Sequence, residues 1–561
     1  MTFRLLCLLA ALLLPGFGQG PERGMVVAQE RLAAEAGAQA LRDGGNAVDA
    51  AVATAFALAV THPIAGNLGG GGFLLSRDPG GSAEFLDFRE RAPAAAHPRM
   101  FLLDGTYDSR VHHDSLVAVG VPGTVAGLHL AWTRHGKLPW RRLLAPAIEL
   151  ARKGITVTPN LARSLQAFLP EFAQHPPTLA QFSRGGKPLV AGERLRQPAL
   201  AATIERIAQQ GPRDFYRGRT ARLLVAAVAR GGGLIKAQDL RDYRAVVREP
   251  LRGSYRGLEV LTAAPPSGGG VVLLEVLNLL EGEDLKRMGA DSAEFIHLAA
   301  EAMRRAFADR ARWIGDPDFV RDIPLQRLLA KDYAAELRRG IRRDRASTSD
   351  PERFDWPAES KETTHLSAVD RSGWAVSLTY TLEDNYGVKR IVPGAGFLLN
   401  NEMGDFNAGP GITDRKGRVG TAPNLAAPGK RMLSSMAPTL LVRDGRVAMV
   451  TGSPGGRTIP NTVLETILGV VDFGLDAQAA VDAPRFHHQW LPDRILVELG
   501  ALAPAVRSRL EQKGHAVVER PLAGPHEGPF QGSAQVIVVR DGKAQGAADR
   551  KRSPDSAAVA E

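Results

Sequence analysis

The chain has 561 residues, 44% hydrophobic and 23% charged, a globular composition with enough apolar residues for a sizeable core. Its net charge of +10 would suit an anionic partner, but the basic residues are interleaved with acids. The densest basic run, residues 338–345, has no aromatic side chain for stacking on bases, so it reads as solvated surface and not as a nucleic-acid site. The single cysteine, Cys7, excludes a disulfide framework.

In chain order, Met1-Thr2-Phe3-Arg4 gives a basic start, Leu5 to Leu14 is apolar, and residues 15–20 supply small residues for cleavage. This pattern predicts a secretory signal peptide over 1–20, with an apolar core too short to span a membrane. A periplasmic or secreted location is the expectation. No small residues precede Cys7 in Leu-Leu-Cys-Leu, which argues against a lipoprotein signal. Residues 29–43 read as a helix stopping at Gly44-Gly45, and Asn46 as the cap of a second helix over 47–60. That second helix is apolar nearly all round and should be buried.

The run Gly69 to Gly72 leads into a strand at 73–76, with another at 84–88. It lacks the lysine and hydroxyl ending of a phosphate-binding loop and the spacing of a dinucleotide site, so close backbone packing is the better reading. Helices dominate from about 120 to 345, including 143–153, 200–210 and 294–313, with a loop at Pro265-Pro266-Ser267-Gly268-Gly269-Gly270. Residues 346–362 are polar, proline-containing and aperiodic, the pattern of an exposed linker. Beyond it the pattern changes to hairpins: 366–382, 439–450 around Arg443-Asp444-Gly445, and 535–540 before Asp541-Gly542. Helix-rich first and strand-rich second suits a layered α+β body.

Thr363, in Lys361-Glu362-Thr363-Thr364-His365, stands at the boundary between the linker and the first hairpin. Cleavage of the bond before it would put a free α-amine beside its own hydroxyl, making a one-residue nucleophile and base. A chain α-amine has a pKa of roughly 7.7–8.0 against about 10.4 for lysine, so a useful fraction is neutral near pH 7.5. Further along come Phe397-Leu398-Leu399-Asn400-Asn401-Glu402-Met403-Gly404-Asp405-Phe406, Leu433-Ser434-Ser435-Met436-Ala437-Pro438-Thr439 and Thr451-Gly452-Ser453-Pro454-Gly455-Gly456. With Gly44-Gly45-Asn46-Ala47-Val48-Asp49, Asp87-Phe88-Arg89-Glu90 and Ala483-Pro484-Arg485-Phe486-His487-His488, these segments resemble the γ-glutamyltranspeptidases of the N-terminal-nucleophile hydrolase superfamily. The matches follow the family's order over nearly the whole chain.

The resemblance implies a four-layer αββα sandwich and a chain that cuts itself between Glu362 and Thr363. Residues 21–362 would become a large subunit and 363–561 a small one, paired as a heterodimer sharing one fold. It assigns the nucleophile to Thr363 and a supporting hydroxyl to Thr381. Arg89 would grip the substrate α-carboxylate through the paired donors of its guanidinium. Glu402 and Asp405 would accept from the α-ammonium, Ser434 and Ser435 would donate to the carboxylate, and the amides of Gly455 and Gly456 would hold the oxyanion. Glu383 stands where many members have Asn and is assigned to substrate binding. Residues 409–429 resemble a lid, with Lys416 where an aromatic gate is expected.

The implied activity is γ-glutamyl transfer from glutathione and related amides to water, an amino acid or a peptide. Nucleophile, base and oxyanion donors all come from the chain, so no cofactor is implied. His487 and His488 are adjacent and lack zinc-ligand spacing, so no metal is expected. The alternatives are a glutaryl β-lactam acylase of the same superfamily and a non-catalytic secreted binding protein.

Overall fold

The alternation over 366–382 forms two antiparallel strands, Glu362–Val369 and Ala375–Glu383, joined at the turn Asp370-Arg371-Ser372-Gly373. They are the centre of a seven-stranded antiparallel sheet. Its order is Val246–Arg248, Ala83–Phe88, Gly71–Arg77, Ala375–Glu383, Glu362–Val369, Met25–Ala28 and Ala557–Ala560. A six-stranded antiparallel sheet runs Leu251–Tyr255, Leu258–Thr262, Thr439–Arg443, Arg446–Thr451, Gln535–Arg540 and Lys543–Ala548. Residues on both sides of the Glu362–Thr363 bond contribute strands to each sheet. The computed structural model describes residues 20–350, 362–412, 414–416, 418–522 and 531–561. Nearly all of the expected signal peptide and residues 351–361 of the expected linker lie outside that set.

Period-two alternation decides which way each strand residue faces. Leu366 and Ala368, with Val376, Leu378, Tyr380 and Leu382, enter a core shared with helices Arg31–Arg42, Ala47–Thr61 and Trp140–Lys153. Each buried Leu or Val contributes about 1.5–3 kcal/mol. Every residue of Ala47–Thr61 is buried, as its all-round apolar sequence requires, and Asn46 closes a capping box with Asp49. The second sheet is covered by helices Gly269–Leu280, Ala293–Trp313 and Ile459–Val471. Helix, sheet, sheet, helix is the expected four-layer order.

The faces that meet between the sheets are partly polar, and their groups bond both within the first sheet and across the gap. His365 Nδ1 is 2.8 Å from Thr379 Oγ1, Ser367 Oγ donates to the Gln535 carbonyl at 2.9 Å, and Ser377 Oγ donates to the Thr451 carbonyl at 2.9 Å. Burial holds His365 at a pKa of about 3, so the ring stays neutral. Thr363 and Thr381 continue this small polar stripe to the sheet end. The hairpin therefore delivers hydroxyls, not leucines, to the space between the layers.

The short strands Met25–Ala28 and Ala557–Ala560 were not part of the sequence reading; four residues are too few for periodicity to announce. Helix bounds shift by one to three residues, for example Trp140–Lys153 against the expected 143–153.

The glycine run does pack against backbone. A Cβ on Gly69 would overlap the Leu398 carbonyl, and one on Gly70 the Thr381 carbonyl. Gly70→Ala should therefore destabilise the protein by about 1–3 kcal/mol in urea denaturation, while Gly80→Ala in the exposed turn should stay within about 0.5 kcal/mol of the parent. Equal effects would contradict this packing role.

Candidate active site

Thr363 sits at an irregularity in the central hairpin. Glu362 aligns with Glu383 and Thr364 with Tyr380, so two residues, Thr381 and Leu382, stand opposite the single Thr363. A bulge of this kind re-aims side chains at a sheet end. Leu382 turns into the helix-side core, while Thr363, 5% exposed, and Thr381 face a narrow cleft between the layers. The cleft is also lined by Glu383, Glu402, Asp405, Ser434, Ser435 and Gly456. Eight residues singled out from the sequence thus meet in one place. A more open hollow of about 630 Å³ lies at the other end of the same hairpin, beside Trp374, Asp444 and Asp541. Its lining offers no hydroxyl or imidazole, whereas the cleft brings hydroxyls and carboxylates together.

Arg89 lies at the end of strand Ala83–Phe88 with no exposed surface. One guanidinium nitrogen, Nη1, pairs with Glu402 and the other, Nη2, with Asp405, while Glu90 Oε2 stands 3.6 Å from Nη1. Nη2 also donates to the Leu433 carbonyl at 3.2 Å. Burial alone would favour loss of the guanidinium proton, but attraction to Glu402, Asp405 and Glu90 outweighs it and holds Arg89 charged. Burial also pushes the Glu402 carboxyl well above the usual range. Arg89 opposes that shift, and Glu90, Asp405 and Glu383 add to it by repulsion. Acids outnumber the cation, so this end of the cleft is biased toward accepting another positive group.

The turn carrying Glu402 and Asp405 is fixed from two sides. Asn400 Nδ2 donates to the carbonyls of Gly69 at 2.7 Å and Gly120 at 2.9 Å, and Asn400 Oδ1 accepts from Glu402 N at 3.0 Å. Asn401 Nδ2 donates to the His113 carbonyl at 3.1 Å. Ser434 and Ser435 are held by the loop expected at 265–270: Gly268 N donates to the Ser434 carbonyl at 2.8 Å, and a Cβ on Gly269 would overlap the Ser435 carbonyl. Arg310 Nη2 donates to Ser435 Oγ at 2.9 Å.

Glu383 is buried with φ +80 and donates its N–H to Thr381 Oγ1 at 2.7 Å. A non-glycine residue in the left-handed region is a strained feature of the kind that collects at functional sites. Gly455 and Gly456, at φ +128 and +54, open the turn into helix Ile459–Val471, whose first amides have no partner within the helix. Gly456 reaches the cleft; Gly455 packs behind it, where a Cβ would lie 2.9 Å from Gly532 Cα.

Lys416 is exposed and stands clear of the cleft lining, while Thr413 and Gly417 of the lid-like stretch lie outside the described residues. His487 is bonded to Asn461 and Gln489, and His488 to Asp493 and Trp490, which is a structural role. Among the described residues no cluster of His, Cys, Asp or Glu could hold a metal ion, and no helix is long and apolar enough to cross a membrane. The sequence reading missed two members of the neighbourhood, Glu90 and His113. Glu90 lies inside the quoted Asp87-Phe88-Arg89-Glu90, but only the fold turns it inward.

The sequence profile of the gamma-glutamyltranspeptidase family matches residues 33–559. The chain is 44% identical over 538 residues to the glutathione hydrolase proenzyme of Escherichia coli (strain K12), covering 95% of this chain and 91% of that one. It is 39% identical over 511 residues to the acylase ACY 1 proenzyme of Pseudomonas sp. (strain SE83), covering 89% and 88%. Its structure matches that of a cephalosporin acylase from Bacillus halodurans with a TM-score of 0.84 at 27% identity, covering 97% and 96%. The chain belongs to the γ-glutamyltranspeptidase family, and it is an enzyme with the N-terminal-nucleophile hydrolase fold.

Removing the cation from among these acids has a predictable pH signature. Arg89→Met should cost about 3–5 kcal/mol at pH 7.5, because it leaves buried carboxylates uncompensated. Glu402 and Glu90, already raised by burial and restrained by Arg89, would then titrate higher still above the unfolded value of about 4.3, so the added penalty exists at higher pH and fades as pH falls through the raised value. Urea denaturation at pH 7.5 and 5 should show the deficit shrinking; an equal deficit would contradict this electrostatic account.

Proposed function

We propose that this enzyme matures by cleaving its own Glu362–Thr363 bond and then transfers the γ-glutamyl group of glutathione and related amides. The observation that carries the reading is the juxtaposition of Thr363 with both charge types a glutamyl head group demands: the acids that line its cleft and the buried Arg89 paired with two of them. Arg89, with Ser434 and Ser435, suits the α-carboxylate; Glu402, Asp405 and Glu383 suit the α-ammonium. Arg89 is paired with Glu402 and Asp405. A zwitterionic head group can replace both halves of that pairing at once, which limits the cost of desolvating either.

In the proposed reaction the freed α-amine of Thr363 takes the proton from Oγ as Oγ bonds to the γ-carbonyl carbon. The developing oxyanion is held by the amides of Gly455 and Gly456. Collapse breaks the carbon–nitrogen bond, and the leaving amine receives the proton from the α-ammonium. Water or an acceptor amine then attacks the ester, with the same amine as base, and restores Thr363. Thr381 Oγ1 orients the nucleophile's surroundings and fixes the Glu383 backbone. Self-cleavage uses the same hydroxyl on the Glu362 carbonyl, forming an ester that water opens. The products are a large fragment, 21–362, and a small one, 363–561, that remain paired because both contribute strands to both sheets. The basic-apolar-small pattern of residues 1–20 supports export to the periplasm or beyond.

The likeness to the acylases gives weight to a glutaryl donor as the second reading. A glutaryl group lacks the ammonium and would leave the excess acids of the cleft without a cation, which favours glutamyl. Denaturing gels should show fragments of about 37 and about 21 kDa by chain length for the parent and one chain for Thr363→Ala, and the parent should release glutamate from glutathione. A cut Thr363→Ala chain would overturn the maturation mechanism. A cut parent that turns over glutaryl but not γ-glutamyl donors would overturn the substrate assignment.

A further inference from the structure

Behind the acid-lined end of the cleft lies the short helix Ser109–His113, capped by Asp108. Three contacts brace it against the turn that carries Glu402 and Asp405. His112 Nε2 donates to the Met403 carbonyl at 3.2 Å while its Nδ1 accepts from Tyr107 Oη at 3.1 Å. Asn401 Nδ2 donates to the His113 carbonyl at 3.1 Å. The His113 ring packs directly on Gly404, where a Cβ would come within 2.5 Å of Nδ1. The same Nδ1 lies 3.4 Å from Glu383 Oε1. A carboxylate can only accept, so a neutral His113 faces it with the proton on Nδ1. The His113 side chain keeps 23% of its surface exposed, so a proton from solvent can reach the ring.

We propose that His113 is a positioning residue that sets the pH range over which the donor's α-ammonium is captured: neutral, it orients the Glu383 carboxylate toward the cleft; protonated, it pairs with that carboxylate as a competing cation. The inference rests on the reading of Glu383 as part of the glutamyl head-group site. The charged and titratable groups around the ring fix the direction. Glu383 and Asp384 face it from the end of the hairpin, Asp405 from the braced turn, and Asp114 from its own helix end; all favour protonation. Lys389 opposes it, His112 stays neutral because burial holds it well below its ordinary value, and Arg110 runs out to solvent. Burial is the largest influence on His113 itself and lowers it from 6.5. The ring is therefore neutral at pH 7.5 and gains its proton on acidification, placing a positive charge beside the carboxylate that the ammonium needs.

The mature two-fragment enzyme tests this with L-glutamate as a competitive inhibitor of a chromogenic γ-glutamyl anilide, and with glutarate as the matched ligand lacking the ammonium. From pH 7.5 to the lowest pH at which both proteins stay folded, the inhibition constant for L-glutamate should rise about threefold to tenfold more in the parent than in His113→Asn, whose amide donates but does not titrate. The donor's KM should follow the same pattern, whereas the pH dependence of kcat, set by the Thr363 amine, should be shared by both proteins. Glutarate should show no such difference. His113→Gln provides a second non-titrating side chain should the Asn variant fold poorly. The same acid weakening for L-glutamate in the parent and in both variants, or an equal difference for glutarate, would overturn the inference while leaving the glutamyl reading standing. A parent enzyme that does not process γ-glutamyl donors would remove that reading and this inference with it.

Discussion

The fully buried guanidinium of Arg89, shared between Glu402 and Asp405 with Glu90 alongside, is the interaction on which the cleft depends. It joins the end of an early strand to a turn more than three hundred residues later, and the Met432 and Leu433 carbonyls complete its shell. A buried ion pair is a weak source of net stability, because desolvating its members consumes most of the attraction. Its worth here is positional. It holds the Glu402–Asp405 turn beside Ser434, Ser435 and Thr363, and in the proposed reading a ligand carrying both signs exchanges its own charges for those of the pair.

A second constraint is the polar character of the space between the sheets. Leucines and valines on one side of the hairpin anchor it to the helices, while on the other side His365 bonds Thr379 on the neighbouring strand and Ser367 and Ser377 reach across to the second sheet. Such a layer requires every donor to have a partner, and the contacts of His365, Ser367 and Ser377 supply them. Gly452 completes the fit, since any side chain there would meet the His365 ring. Where the stripe reaches the sheet end, Thr363 and Thr381 open onto the cleft. The proposed nucleophile is thus a continuation of the fold's own alternation.

Much of this was legible in the sequence. The alternation around Leu366 to Leu382 gave the hairpin, Asn46 gave a helix start, and the ordered motifs around Arg89, Glu402, Ser434 and Gly455 gave the family and eight residues of the cleft. The mutual pairing of Arg89 with Glu402 and Asp405 was not legible, because residues assigned to opposite ends of a substrate do not announce that they neutralise one another without it. Nor was the role of residues 25–28, whose register with 366–369 only the folded sheet defines. His113 sits in a polar stretch with no pattern of its own; it becomes notable only when a distant strand end and a distant turn close around it.

Charge exchange at Arg89 is the central claim, and calorimetric binding to the mature enzyme tests it most directly. L-Glutamate, which can satisfy Arg89 through its α-carboxylate and the acids through its ammonium, should bind about tenfold or more tightly than glutarate or 4-aminobutyrate, each of which lacks one α-substituent. That margin is on the order of one charged hydrogen bond, about 1.5–3 kcal/mol. Equal affinity for glutamate and glutarate would show that the acids of the cleft do not read an ammonium, and the account would fail.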